Sequence, residues 1–254
     1  MPQPHKSQIT PADSTILWRY MDLSQFLWML STRRLHFSSW RKFHDIYEGD
    51  VPPQWVQEKM LRSEGPLPPV GSGYHANIER ASRFGIEERL AQFRVSCWHQ
   101  NEDESIAMWN LYPKGLDGVA IQTTVGDLRA SVQKSLMDEH THIGAVTYDG
   151  FPVEYDPTLD NVQVIPLLVK KPWYRHEQEV RMIRWAGVQS KPPYRRRDPK
   201  VGENVPVDLA RLIKRIVISP EFPVHLLFGL RYTIRAMKLK LPKVQESSCQ
   251  PSAG

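Results

Sequence analysis

Thr15-Ile16-Leu17-Trp18-Arg19-Tyr20, followed by Asp22-Leu23-Ser24-Gln25 and then Leu35-His36-Phe37-Ser38-Ser39-Trp40, decides the architecture of this chain. The first run is β-branched and aromatic and predicts a strand. Asp22 with Gln25 three positions on has capping-box spacing, so a helix should follow. Phe26, Leu27 and Leu30 give that helix an apolar face, and Arg33 and Arg34 suit its C-terminal end. Residues 35–40 alternate and predict a second strand.

Working outward, strands are expected at 93–98, 118–123, 143–148, 180–185 and 213–219. Helices are expected near 52–61, 79–90, 102–112, 124–137 and 223–239, with Thr124 and Asp127 as a further capping pair. Asp208 and Leu209 should begin a short helix or turn. Residues 162–169 fit either a strand or a buried helix, and Pro166 counts against the strand. Strict strand–helix alternation is missing, and so is a glycine-rich strand-to-helix turn. The expectation is an α+β fold with a mixed, mainly antiparallel central sheet and helices packed around it.

Composition sets the outer bounds. The chain has 254 residues, 41% hydrophobic and 24% charged, which is an ordinary globular mixture and excludes fibrous or wholly disordered classes. The net charge of +5 is too mild to argue for nucleic-acid binding unless it gathers on one face. Cys97 and Cys249 cannot build a disulfide framework. The polar N-terminus lacks an apolar signal core, and the apolar runs are far shorter than the ~20 residues that span a bilayer. A cytoplasmic protein without a membrane partner is expected. The organisation expected is a loose N-terminus over 1–14, one α+β domain over 15–245 and a loose end over 246–254. A Pro/Gly-rich excursion falls at 63–75.

No phosphate-loop, dinucleotide-fingerprint, zinc-protease or nucleophile-elbow spacing is present. His140 and His142 lack a carboxylate cluster, so no metal site is expected. Cys97 and His99 share a strand face, which leaves a thiol–imidazole pair open, although a buried inert thiol is the plainer reading. The basic stretch 191–200 suits a solvated loop better than a phosphate-backbone contact, without excluding nucleic acid.

Several ordered pieces resemble a known family. They include Leu17-Trp18-Arg19-Tyr20, Leu35-His36-Phe37-Ser38, Val95-Ser96-Cys97-Trp98, Met108-Trp109, Gly118-Val119-Ala120-Ile121, Glu177-Gln178-Glu179-Val180-Arg181 and Ile216-Val217-Ile218-Ser219-Pro220. Together they resemble the widespread bacterial domain of unknown function family 2971, from about residue 16 to about residue 235. His44-Asp45-Ile46-Tyr47-Glu48 stands where that family usually shows an Asn-Asp-Pro-Phe-Glu turn. The resemblance implies the fold class and no chemistry.

Arg19 sits in an otherwise apolar strand, where an unpaired guanidinium would be costly. Glu177 and Glu179 at i, i+2 should point to one face with Arg181. Tyr20, Trp98, Trp109 and Tyr174 are candidate stacking walls, and with Arg181 they are the candidate substrate-binding residues. An Arg on a first strand, a Ser (Ser38 or Ser39) on a second and a Glu-x-Glu entering a later strand is loosely similar to NAD-using ADP-ribosyltransferases. That similarity implies that Arg19 clamps a pyrophosphate, Ser38 holds the early strand near the nicotinamide ribose and Glu179 stabilises an oxocarbenium-like transition state. Glu177 would orient an acceptor nucleophile, and NAD would be the substrate. Phage-defence and toxin–antitoxin roles fit such a protein.

Two alternatives stay open. One reads the charges as a laddered strand face, and the aromatic and arginine positions as a non-catalytic recognition groove for a nucleotide, nucleic acid or protein. A metal-dependent nuclease would need Asp45 and Glu48 brought to Glu177 and Glu179.

Overall fold

The computed structural model describes residues 10–43, 90–132, 141–150, 160–186 and 202–249. Nine strands of the described residues join in one sheet. β1 (Ile16–Asp22) lies at its centre and runs antiparallel to β4 (Gly118–Thr124) along its whole length, from Ile16↔Thr124 to Asp22↔Gly118. β3 (Phe93–Gln100) flanks β1 on the other side, followed outward by β6 (Glu179–Trp185) and β5 (Thr141–Ala145). Beyond β4 come β8 (Arg215–Ile218) and β9 (Val244–Glu246). The pairings are antiparallel except β8 with β9. The expected α+β architecture with a mixed, mainly antiparallel sheet is what the chain adopts.

One departure from a regular sheet positions everything that follows. The same edge of β3 is shared by two strands. β1 pairs with its C-terminal end, Leu17↔Gln100 and Trp18↔His99. β2 (Arg34–Ser39) pairs with its N-terminal end, Ser38↔Val95 and Ser39↔Arg94. Ser96, Cys97 and Trp98 therefore face a fork rather than a ladder. The helix α1 (Leu23–Thr32) carries the chain from one prong to the other, and Arg33 ends it in the left-handed conformation (φ 54°). β2 then pairs on its far side with β7 (Glu203–Pro206).

Side chains from alternate positions of β1 fill both faces. Leu17 and Met21 join Phe26, Leu30, Ile121, Met182 and Leu230 in the main core. Trp18 and Tyr20 join Met108, Trp109, Ala120 and Val217 on the other side. A third cluster, with Phe93, Val95, Leu167 and Ile183, lies under the outer strands. Burial on both faces is why the strands read as near-continuous apolar runs.

Several local expectations are corrected. Asp22 precedes α1 in extended conformation but makes no capping bond; its Oδ1 accepts from the Lys114 backbone N–H at 2.7 Å instead. The 102–112 helix shrinks to α2 (Ile106–Leu111), because Ser105 caps it by accepting from Met108 N–H. Residues Asp160–Leu168 are neither strand nor α-helix but a 3-10 segment containing Pro166. Thr124 caps α3 (Val125–Ser131) and Asp208 caps α4 (Leu209–Leu212), while Pro223 precedes α5 (Val224–Ala236). β7 and β9 were not expected; each is short, and Pro206 blurs the first. Ser247 and Ser248, read as part of a loose end, both donate to Glu104. The expected elements at 52–61 and 79–89, the 63–75 excursion and the 191–200 loop lie outside the described residues. Among the described residues no helix is long and apolar enough to cross a membrane.

Candidate functional site

The fork opens a cavity of about 240 Å³ bordered by Arg19, Ser38, Trp98, His99, Glu177 and Glu179, with Tyr20, Cys97 and Tyr112 also on its wall. Register puts Glu179 opposite His99 and Arg181 opposite Cys97, so these side chains share one face of the sheet. Arg19, two positions from Leu17, belongs to the other face with Ser96 and Trp98. In a continuous sheet Arg19 and Glu179 would be separated. The missing ladder between the prongs lets both border one space.

Arg19 staples the fork. Its Nη1 donates to Ser96 Oγ at 2.5 Å on β3, and its Nη2 donates to the His36 carbonyl at 3.3 Å on β2. The guanidinium carbon lies 5.6 Å from the centre of the Trp98 ring, in cation–π range. Burial pulls its pKa below the ordinary arginine value, opposed by the neighbouring Cys97 and Tyr112. Two bonds leave three of the five guanidinium N–H donors uncommitted to these partners.

Glu179 is only 4% exposed. Its Oε2 lies 2.7 Å from Arg181 Nη2 and 3.2 Å from Lys170 Nζ. Burial alone would push its carboxyl up, but Arg181, Lys170 and a hydrogen bond from Cys97 outweigh that and hold it at about 2. The carboxylate is thus ionised at neutral pH.

Glu177 reaches the cavity differently from the expected strand face. It ends a 3-10 turn (Pro172–Glu177), and Gln178 at φ 40° reverses the chain before β6 starts. Lys170 Nζ then bridges the two carboxylates, 2.5 Å from Glu177 Oε2. His99 Nδ1 lies 2.6 Å from the Glu177 carbonyl; the carbonyl accepts, so Nδ1 carries the proton and Nε2 is a bare acceptor. That Nε2 is buried without a hydrogen-bond partner among the described residues. Burial lowers the His99 pKa, which keeps the ring neutral. Burial, and then the two carboxylates, raise the Tyr112 phenol well above its ordinary range. Tyr148, whose hydroxyl accepts from Glu179 N–H at 2.9 Å, is pushed by burial to about 12.

Of the residues singled out from sequence, Arg19, Ser38, Glu177, Glu179, Tyr20 and Trp98 border the cavity. Three do not. Trp109 packs edge-on against Tyr20 at 4.8 Å and donates to Glu104 at 3.2 Å. Tyr174 lies under the Lys170 ammonium, 4.9 Å away. Arg181 is buried behind Glu179 and donates to the Leu167 carbonyl at 2.6 Å. Lys170, the cation that ties the acidic pair together, was missed; its signal was only a dibasic Lys170-Lys171 seven residues before Glu177.

A second cavity of about 500 Å³ adjoins the first and shares Arg19, Gln25 and Ser38 with it. Among the described residues no group of three or more His, Cys, Asp or Glu side chains is arranged to hold a metal ion. Asp45 and Glu48 lie outside the described residues.

No family model matches the chain, and no curated protein matches it. Among solved structures, DarT of Thermus sp. 2.9 in complex with ADP-ribosylated ssDNA superposes with a TM-score of 0.39 at 9% identity, over 94% of this chain and 96% of that one.

Proposed function

We propose that the cavity at the fork is the reaction site of an NAD-consuming enzyme, an ADP-ribosyltransferase-like protein or NAD glycohydrolase. The observation that carries this is one guanidinium and one buried, ionised carboxylate bordering the same hollow, Arg19 from β1 and Glu179 from β6. Arg19 is suited to the pyrophosphate, because a planar cation with spare donors binds it in two-pronged fashion. Glu179 is suited to the ribose, where positive charge develops as the C1′–N bond breaks and nicotinamide leaves with the electron pair. The carbon is then captured by water or an acceptor hydroxyl, whose proton is lost to solvent or to Glu177. Trp98 and Tyr20 offer ring surface for the nicotinamide.

The test is NAD turnover. Replacing Glu179 by Gln should lower it about 10²–10³-fold, the cost of removing one preorganised electrostatic partner. Arg19→Lys should raise KM more than it lowers kcat, since the charge stays and the two-pronged geometry goes. Circular dichroism verifies that each variant is folded. Unchanged turnover in a folded Glu179→Gln protein rejects the enzyme.

One observation favours a second reading, a non-catalytic nucleotide-binding module. Lys170 and Arg181 already neutralise Glu179, which leaves it less charge to offer a cationic transition state. Incubating the protein with mixed nucleotides and weighing them afterwards separates the two, because a module returns every mass unaltered.

A further inference from the structure

The second cavity has a chemistry of its own. Arg19, Arg34 and His36 border it, and among the described residues no carboxylate does. His36 is fixed by Asn204, whose Oδ1 accepts from His36 Nδ1 at 2.7 Å. Arg34 Nη1 donates to the Asn204 carbonyl at 3.5 Å, so the guanidinium leans on the strand end and keeps donors to spare. Trp28, 37% exposed, stands on the wall beside the apolar Met21, Met29 and Leu35. A cationic rim over an aromatic and thioether floor selects a ligand with an anionic group joined to a flat ring. About 500 Å³ falls within the range of small-ligand sites and accommodates a mononucleotide.

We infer that this cavity is a nucleoside-phosphate subsite, and that it takes the ADP half of the dinucleotide whose nicotinamide-ribose half occupies the first cavity. The pyrophosphate lies at Arg19, the side chain common to both hollows. Trp28 stacks on the adenine, and Arg34 and His36 hold phosphate or ribose oxygens. The assignment deepens the proposed NAD reaction and rests on it for the identity of the whole ligand, but the subsite answers to ADP alone.

Calorimetry of ADP with the full chain is the test. ADP should bind, Trp28→Ala and Arg34→Gln should each weaken it at least tenfold, and NAD should displace it competitively. Trp28 and Arg34 are partly exposed, so both variants should keep the wild-type melt. Asn204→Asp is a further variant that keeps the side-chain volume and sets a carboxylate beside Arg34; it should weaken ADP as well. Phe228→Ala, on the solvent face of α5, should leave ADP affinity within twofold. Absence of ADP binding, wild-type affinity in Trp28→Ala and Arg34→Gln, or simultaneous binding of ADP and NAD each overturns the subsite. ADP binding that behaves as expected with no NAD turnover overturns the catalytic reading alone.

Discussion

Glu179 concentrates the residue-scale physics. Its carboxyl is held at about 2 in the folded chain against an ordinary 4.5. The unfolded chain binds the extra proton between those values, so stability is full above about pH 4.5 and drains away as pH falls toward 2. The full difference is on the order of 3 kcal/mol, of which about 2 kcal/mol is lost between pH 6 and pH 3, read as a fall in the denaturant midpoint. Glu179→Gln should lack this part of the acid dependence. It should also cost about 3–5 kcal/mol at neutral pH, since it takes the Glu179 carboxylate from the buried Arg181 and leaves Lys170 only one of its two acidic neighbours, Glu177. Adding Arg181→Met should recover much of that loss, because removing a buried pair together costs less than breaking it; an additive melt would refute the coupling. Arg19 was legible because a charge inside an apolar run demands a partner, and Glu177 and Glu179 drew notice through their i, i+2 spacing, although Glu177 belongs to the turn before β6 and not to the strand. Lys170 was not, since its role comes from a 3-10 turn and a left-handed Gln178 that folds its segment back on β6.

At the scale of elements, patterns that carry their own hydrogen bonds were the readable ones. Thr124 accepts from Asp127 N–H at 3.1 Å and donates back to its carboxylate at 2.9 Å, as the spacing predicted. Thr124→Ala should cost about 1 kcal/mol in a chemical melt. The Asp22–Gln25 spacing misled because Lys114 claims the Asp22 carboxylate, a tertiary contact that no local pattern records. β7 escaped because its place depends on β2 across more than 160 residues. Gly202, next to β7, shows how tight that pairing is. A Cβ there would meet His36 Cε1 at 2.5 Å and the Phe37 carbonyl oxygen at 2.7 Å. The carbonyl belongs to the β2 backbone and cannot swing aside. Gly202→Ala should therefore destabilise by about 1–3 kcal/mol. It should also weaken ADP, by shifting His36 in the second cavity, more than it disturbs the cavity beside Glu179. Equal damage to both would show that the prongs of the fork move as one.

Across the whole molecule, the fork is the feature that the sequence could not display. Each strand is visible alone, but which two share the edge of β3 is a matter of long-range pairing. The fork turns a solid sheet into one with a slot, and the aromatic wall of that slot is braced from the chain's other end. Glu104 accepts from Ser247 Oγ and from Trp109 Nε1 through one carboxylate oxygen, and from the Ser248 backbone and hydroxyl through the other. Trp109 packs edge-on against Tyr20, which borders the cavity. The residues after β9 thus reach the site through three contacts. Ending the chain after Glu246 removes three of the four donors on Glu104 while leaving β9 itself in place. Exposed hydrogen bonds to a carboxylate are individually modest, so the expected loss is about 2 kcal/mol in total. For a chain of this size that lowers the melting temperature by about 4–8 °C. NAD turnover should fall only a few-fold, because Trp109 keeps its packing on Tyr20. ADP affinity should not change, because the second cavity lies beyond Arg19 on the other face. A truncated protein that melts normally would show the tail to be an ornament, and one that loses ADP would show that the brace extends through the sheet.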